Sequence, residues 1–155
     1  MTITKPPRDR ERRRRNVLDR LEREEDIWVA SADADGVPCL VALWFVWHEE
    51  AVWLATRPTN PTGRNLGAGA RATRLAFGDT QDVVLIDGAA EVYAREEVPA
   101  GAAEAFLAKT GWDPRAERAT YAYYRVRPRA VQSWHGEREL PQRHLMRDGH
   151  WLGKA

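Results

Sequence analysis

Short runs of branched and aromatic residues, separated by tight-turn signals, recur along most of this chain, and that spacing constrains its fold more than any other feature. Residues 27–31 read Ile-Trp-Val-Ala-Ser and predict a strand. Asp35-Gly36 is a hairpin turn signal. Residues 37–47 are rich in branched and aromatic side chains and predict a long, largely buried strand. Glu49-Glu50 turns the chain, and residues 51–56 return antiparallel to it. Further strands are expected at 71–77 and 82–93 around Gly78-Asp79-Thr80, with Gly88 at a bulge or a close backbone approach. Residues 121–134 continue the pattern and are interrupted at Pro128, which favours an edge or a bend. Residues 140–146 and Trp151-Leu152 flank Asp148-Gly149 as a last hairpin. Six or seven antiparallel strands at short spacing predict a closed or nearly closed barrel. Trp28, Trp44, Trp47 and Trp53 fall in the first three strands and are expected in the core.

Helices flank this β pattern, so the class is mainly β with α+β character. Val17, Leu18 and Leu21 form one narrow helical stripe within residues 10–25. Residues 1–9 hold Pro6 and Pro7 without apolar periodicity and read as a disordered arm. Residues 61–67 predict one or two helical turns capped by Asn60 or Thr62. Residues 99–110 are alanine-rich and helical, ended by Gly111. No internal repeat or linker divides the chain, so residues 10–155 are expected to form one domain.

Bulk properties narrow the partners. With 155 residues and a formal net charge of +1, the chain is long enough for a real core and carries no global field toward nucleic acid or a membrane surface. Five arginines lie within residues 10–15, but acidic residues follow at 22–26. A helix with solvated and internally paired charge is expected there, and no nucleic-acid partner. The longest apolar run, residues 40–47, is far short of the roughly 20 residues of a membrane helix. Cys39 is the only cysteine, so no intramolecular disulfide can form. A cytoplasmic setting follows as the expectation.

Chemistry-bearing motifs are few. Cys39 has no histidine near it in sequence and reads as a buried strand residue. His48, His135, His144 and His150 lack zinc-ligand spacing, so no metal site is expected. Thr56-Arg57-Pro58-Thr59-Asn60-Pro61-Thr62-Gly63-Arg64-Asn65 is different: a strand ends, a polar loop follows, and a short helix begins. Hydroxyls of Thr56, Thr59 and Thr62 can donate, and Arg57 and Arg64 can grip phosphate oxygens. Composition alone leaves this open between a phosphate site and a capped helix with solvated arginines. Near the C-terminus, Trp134-His135-Gly136 is followed by Leu140-Pro141-Gln142-Arg143. Trp134 and Arg143 could wall a planar ring, or form a packing pair on a barrel edge.

In order and spacing, these segments resemble the pyridoxamine 5′-phosphate oxidase-like superfamily, the FMN- and F420-binding split β-barrels, over residues 12–152. The resemblance rests on the N-terminal helix, the Asp35-Gly36 hairpin, Val37-Pro38 and a strand reaching Trp44-Phe45. It continues through the strand ending at Thr56, the Arg64-Asn65-Leu66 helix start and Val83-x-Leu85-x-Asp87-Gly88-x-Ala90-Glu91. It implies a homodimer with cofactor at the interface, a phosphate held by Thr56, Arg57, Thr62, Arg64 and Asn65, and an isoalloxazine ring along Leu43, Trp44 and Phe45. It further implies that Trp134 and Arg143 reach the cofactor across the dimer, with Gln81 or Asp82 nearby. The chain departs from the pattern at Glu139-Leu140-Pro141-Gln142-Arg143, where vitamin B6 oxidases carry Arg-Leu-His-Asp-Arg: the substrate-holding arginine and histidine become Glu139 and Pro141. The lysine common in the phosphate loop is also missing.

The expected activity is therefore FMN- or F420-dependent hydride transfer to or from a small molecule, with FMN favoured slightly, and not vitamin B6 oxidation. No catalytic side chain is assigned, because the flavin ring carries the hydride. The alternative is a binding protein for flavin, F420 or haem without turnover, with His135 or His144 as the haem ligand.

Overall fold

A computed structural model describes residues 5–69 and 72–153. Six antiparallel strands form the barrel: β1 (Asp26–Ala32), β2 (Pro38–His48), β3 (Ala51–Thr56), β4 (Ala72–Ala76), β5 (Asp82–Ala94) and β6 (Ala122–Val126). Their order around the ring is β4-β1-β2-β3-β6-β5, and the β4–β5 pairing closes it. Three further strands, β7 (Ala130–His135), β8 (His144–Arg147) and β9 (His150–Trp151), extend the sheet from β5. The antiparallel barrel expected from the turn spacing is present. Arg71, the expected start of the fourth strand, lies outside the described residues.

The long β5 splits the sheet. Residues Asp82 to Asp87 pair with β7, and Ala90 to Ala94 pair with β6 on the same edge. Between them the chain turns the corner at Pro128 and passes over Gly88. A Cβ on Gly88 would come within 2.5 Å of the Arg127 carbonyl oxygen, so only glycine fits this crossing. The Arg129 N–H donates to the Asp87 carbonyl at 2.7 Å and fixes the corner.

Two clusters make the core. Ile27, Val29, Phe45, Leu54, Leu75, Ile86, Tyr124 and Val126 fill the barrel, and Val17 and Leu21 of α1 (Arg10–Arg23) pack against them. Outside the barrel, α3 (Ala100–Thr110) lays Ala102, Ala103 and Phe106 on Val46, Trp53, Ala55 and Tyr123. Each large side chain removed from water there contributes about 1.5–3 kcal/mol. Gly111, with φ of 74°, ends α3 as the left-handed cap read from the sequence.

Three local expectations change. Trp28 and Trp44 are 42% and 48% exposed. Alternation along β1 and β2 puts them on the outer face. Residues 137–142 form a 3₁₀ segment (Glu137–Gln142) instead of a strand. Pro141 has no N–H to give a ladder, and the Glu139 carboxylate turns back to accept the His135 N–H at 2.7 Å. The basic stretch of α1 is only partly solvated. Pairs such as Glu11–Arg15 and Asp19–Arg23 lie on its surface, but Arg13 is 1% exposed. Its guanidinium donates to the carbonyls of Arg8, Ser133 and Glu139 at 3.1–3.2 Å. Ahead of the helix, the Asp9 side chain caps α1 by accepting from the Arg12 N–H, and Arg8 bridges Asp82 and Glu139 at 2.8 Å each. Among the described residues, no helix is long and apolar enough to cross a membrane.

Candidate functional site

β3 is buried along its whole length and ends in Thr56, which hands the chain to an exposed loop and then to α2 (Pro61–Gly67). Pro61 at the first helical position presets the turn. The helix buries Thr62, Gly63, Asn65 and Leu66 and exposes Arg64. Thr56, Thr62 and Asn65 are thus polar groups at the barrel wall, each less than a tenth exposed, and buried polar groups need partners. Asn60 Nδ2 donates to Thr56 Oγ1 at 3.3 Å, and Asn65 Nδ2 donates to Ser31 Oγ at 3.1 Å. Cys39 Sγ lies 3.3 Å from Thr62 Oγ1. Arg64 is tied back to the loop through the Thr59 carbonyl at 3.1 Å.

Sequence reasoning missed four contributors to this loop. Ser31 and Cys39 face each other across the β1–β2 hairpin, so the Asp35-Gly36 turn already encoded their pairing. Cys39 is half-buried against the loop and not part of the apolar core. Gly63 lies so close to the Arg57 carbonyl that a Cβ would overlap it. Tyr124, on β6, donates its hydroxyl to the Gly63 carbonyl at 3.4 Å. Burial pushes that phenol up to about 12, so it stays protonated and keeps the loop tied to the barrel.

The arrangement leaves backbone donors unpaired. The N–H groups of Thr62 and Gly63 have no backbone acceptor among the described residues, and Arg57 is exposed beside them. Two arginines, hydroxyls and free N–H groups in one rigid loop have the donor chemistry for a phosphate monoester.

The other sequence-selected residues fall in two places. Leu43 and Phe45 point inward: Leu43 packs against the barrel core and Phe45 is fully buried, with its ring 6.0 Å from Phe77. Lys109 Nζ sits 3.7 Å from the centroid of that ring. Trp44 faces outward, edge-on to Trp112 at 6.3 Å. Only the backbone of Phe45 can border a bound ring, whereas Trp44 can offer its side chain. Trp134 is half-buried on β7 opposite Val83. Arg143 lies next to it, because its carbonyl accepts the Ser133 N–H at 2.9 Å. The Arg143 guanidinium is spent on Gln132 Oε1 at 3.1 Å and the Leu140 carbonyl at 3.0 Å. The structure brings Trp134 and Arg143 together, but among the described residues no hydrogen bond or ion pair joins them to the β3–α2 loop.

Of the two neighbours considered at β5, Asp82 is engaged on both sides: Arg8 grips its carboxylate and Arg20 its carbonyl at 2.7 Å. Gln81 is exposed and borders a cleft. Glu139 is buried. Burial raises its pKa, but the Arg8 side chain and the N–H groups of Arg8 and His135 outweigh this and bring it down to about 2. His144 is shifted down by burial and by Arg147, Arg143 and Arg10, which favours neutral imidazole. Among the described residues, no group of histidine, cysteine and carboxylate side chains is placed to hold a metal ion.

Solved structures share this fold. A conserved hypothetical protein from Mycobacterium tuberculosis superposes with a TM-score of 0.60 at 20% identity, covering 80% of this chain and 85% of its own. A protein named F420 reductase does so with a TM-score of 0.57 at 23% identity, covering 73% and 93%. A protein from Clostridium acetobutylicum related to general stress protein 26, of the pyridoxinephosphate oxidase family, gives 0.58 at 15% identity, covering 83% and 92%. These likenesses establish the fold alone. No curated protein matches the chain. The family model for pyridoxamine 5′-phosphate oxidase matches residues 14–135, from the buried stripe of α1 through the barrel to the end of β7, and the chain belongs to that family.

Proposed function

We propose that this protein is an oxidoreductase dependent on FMN or F420, acting as a homodimer on a small molecule, with the cofactor phosphate in the β3–α2 loop. The observation that carries the reading is the loop itself: Thr56, Thr62 and Asn65 anchor it from within, Arg57 and Arg64 are exposed on it, and the N–H groups of Thr62 and Gly63 are without a backbone acceptor among the described residues. The cofactor would supply the hydride-carrying ring. The chain's part is to bind and orient it: guanidinium groups neutralise the phosphate, hydroxyls donate hydrogen bonds to it, and the β2 backbone at Leu43 to Phe45 borders the ring. Trp134 and Arg143 of one protomer would then meet the loop of its partner, consistent with their separation within one chain. The exposed apolar face of Trp28, Leu40 and Trp44 is a fitting surface for that second copy.

The test is titration of purified protein with FMN and with F420, followed by fluorescence. Binding of one of them with Kd below about 100 μM, worth about 5.5 kcal/mol, is expected; failure of both to bind refutes the proposal. A salt-sensitive preference for the long-tailed form of F420 over a shortened one identifies F420 in place of FMN.

Glu139 supports excluding vitamin B6 oxidation. At the position where those oxidases hold substrate with arginine, this chain has a buried carboxylate already committed to Arg8 and His135. The same observation favours a second reading, a cofactor carrier without turnover. A bound chromophore that neither NAD(P)H nor substrate can reduce would select that reading.

A further inference from the structure

Beside the end of β7 lies a cleft of about 550 Å³ bordered by the N-terminal segment on one side and residues 135–139 on the other. We propose that it binds a small carboxylate with a flat apolar body, at a site that within one chain is not joined to the β3–α2 loop.

Its walls are built, not incidental. Arg8, only 13% exposed at its side chain, donates to Glu139 through its backbone N–H, Nε and Nη2 at 2.8–3.0 Å and reaches Asp82 at 2.8 Å. Arg13 closes the network from below through carbonyls of Arg8, Ser133 and Glu139. These contacts fix Arg8 against the opposite wall, and Pro6 and Pro7 lead directly into it. Pro6 and Pro7, each with restricted φ, give that wall a rigid apolar surface. A preformed cleft spares a ligand the ordering cost of making one, and the volume falls within the roughly 300–1,000 Å³ of small-molecule sites.

The charges select the ligand. Arg8 and Arg13 are balanced by Asp82 and Glu139 inside the network, so the buried ions cancel. The rim carries Lys5, Arg12 and Arg138 against the single carboxylate of Glu137. Among the described residues, no side-chain hydrogen bond or ion pair engages those three cations. Two guanidinium groups free to make forked hydrogen bonds favour a carboxylate over a neutral molecule.

The full chain, freed of any flavin and uniformly ¹⁵N-labelled, is titrated with sodium benzoate and separately with benzamide at about 0.15 M salt. Saturable shifts confined to Lys5, Arg8, Arg12, Gln81 and residues 135–139 are expected with benzoate, at a Kd of about 1 mM or tighter, and at least tenfold weaker binding with benzamide. The Arg12→Ala/Arg138→Ala variant, which alters only exposed side chains, is expected to lose at least tenfold for benzoate while its remaining spectrum is unchanged. Arg138→Glu should lose more. Equal binding of benzoate and benzamide, no saturable response, or unaltered affinity in the double variant overturns the proposal. Because no cofactor is present, none of these outcomes depends on FMN or F420 binding.

Discussion

Replacing Glu139 with glutamine tests whether the N-terminal segment is held by a buried charge. The carboxylate is 4% exposed and accepts the Arg8 N–H, Nε–H and Nη2–H and the His135 N–H at 2.7–3.0 Å. Burial opposes its ionisation, yet these donors bring its pKa from 4.5 to about 2. At about 1.36 kcal/mol per unit, the ionised group stabilises the fold by about 3 kcal/mol. For comparison, an exposed helix pair such as Glu11–Arg15 contributes only about 0.3–0.5 kcal/mol. Glutamine keeps the shape but loses the charge, and its amide turns a donor toward other donors. Glu139→Gln should therefore cost about 3 kcal/mol at pH 7, lowering Tm by about 6–12 °C for a chain of this size.

The sign of the pH dependence follows from the direction of the shift. A carboxyl with a folded pKa below its unfolded value contributes fully above 4.5, and that contribution fades as pH falls toward about 2. Thermal unfolding by circular dichroism at a series of pH values should show the gap between native and Glu139→Gln protein closing across this window. A gap that is the same at pH 2.5 as at pH 7, or one below about 1 kcal/mol at pH 7, would show that no buried charge holds Arg8 and that its contact is incidental.

Other consequences are direct. Gly63→Ala places a Cβ against the Arg57 carbonyl; about 1–3 kcal/mol of stability should be lost in urea unfolding, and FMN affinity should fall with it. Arg57→Ala combined with Arg64→Ala alters two exposed side chains, so FMN affinity should drop at least tenfold, about 1.4 kcal/mol, with Tm unchanged. Trp44→Glu puts a charge on the exposed face of β2; sedimentation should show loss of dimer without loss of folded far-ultraviolet signal. Lys109 is shifted down because burial disfavours its charge, so between its folded and unfolded pKa the unfolded chain binds more protons and stability should rise with pH. Lys109→Met, which keeps the contact with Phe45, should flatten that rise.

What was legible in the sequence was what depends on near neighbours. Asp35-Gly36 set the β1–β2 register, Gly111 ended α3, and Gly88 marked a close approach because no other residue survives there. Alternation assigned two faces to β1 and β2 but could not say which face is covered, so Trp28 and Trp44 were expected inside. Arg13 looked like its solvated neighbours, since nothing local distinguishes an arginine whose partners are the carbonyls of Ser133 and Glu139. The β3–α2 loop was legible by composition. Its supports were not, because Ser31, Cys39 and Tyr124 come from three other strands.

The departure at position 139 and the order of the N-terminal segment are one structural fact. Arg8, Arg13, Asp82 and Glu139 form a neutral set only while residue 139 is acidic. An arginine there, as in the vitamin B6 oxidases, would bring a third guanidinium beside Arg8 and Arg13 with only Asp82 to oppose them, and burying uncompensated charge costs several kcal/mol. An arginine at 139 would thus release Arg8 and open the wall beside Gln81 and His135. Conversely, a chain that keeps Arg8 and Arg13 favours an acid at 139.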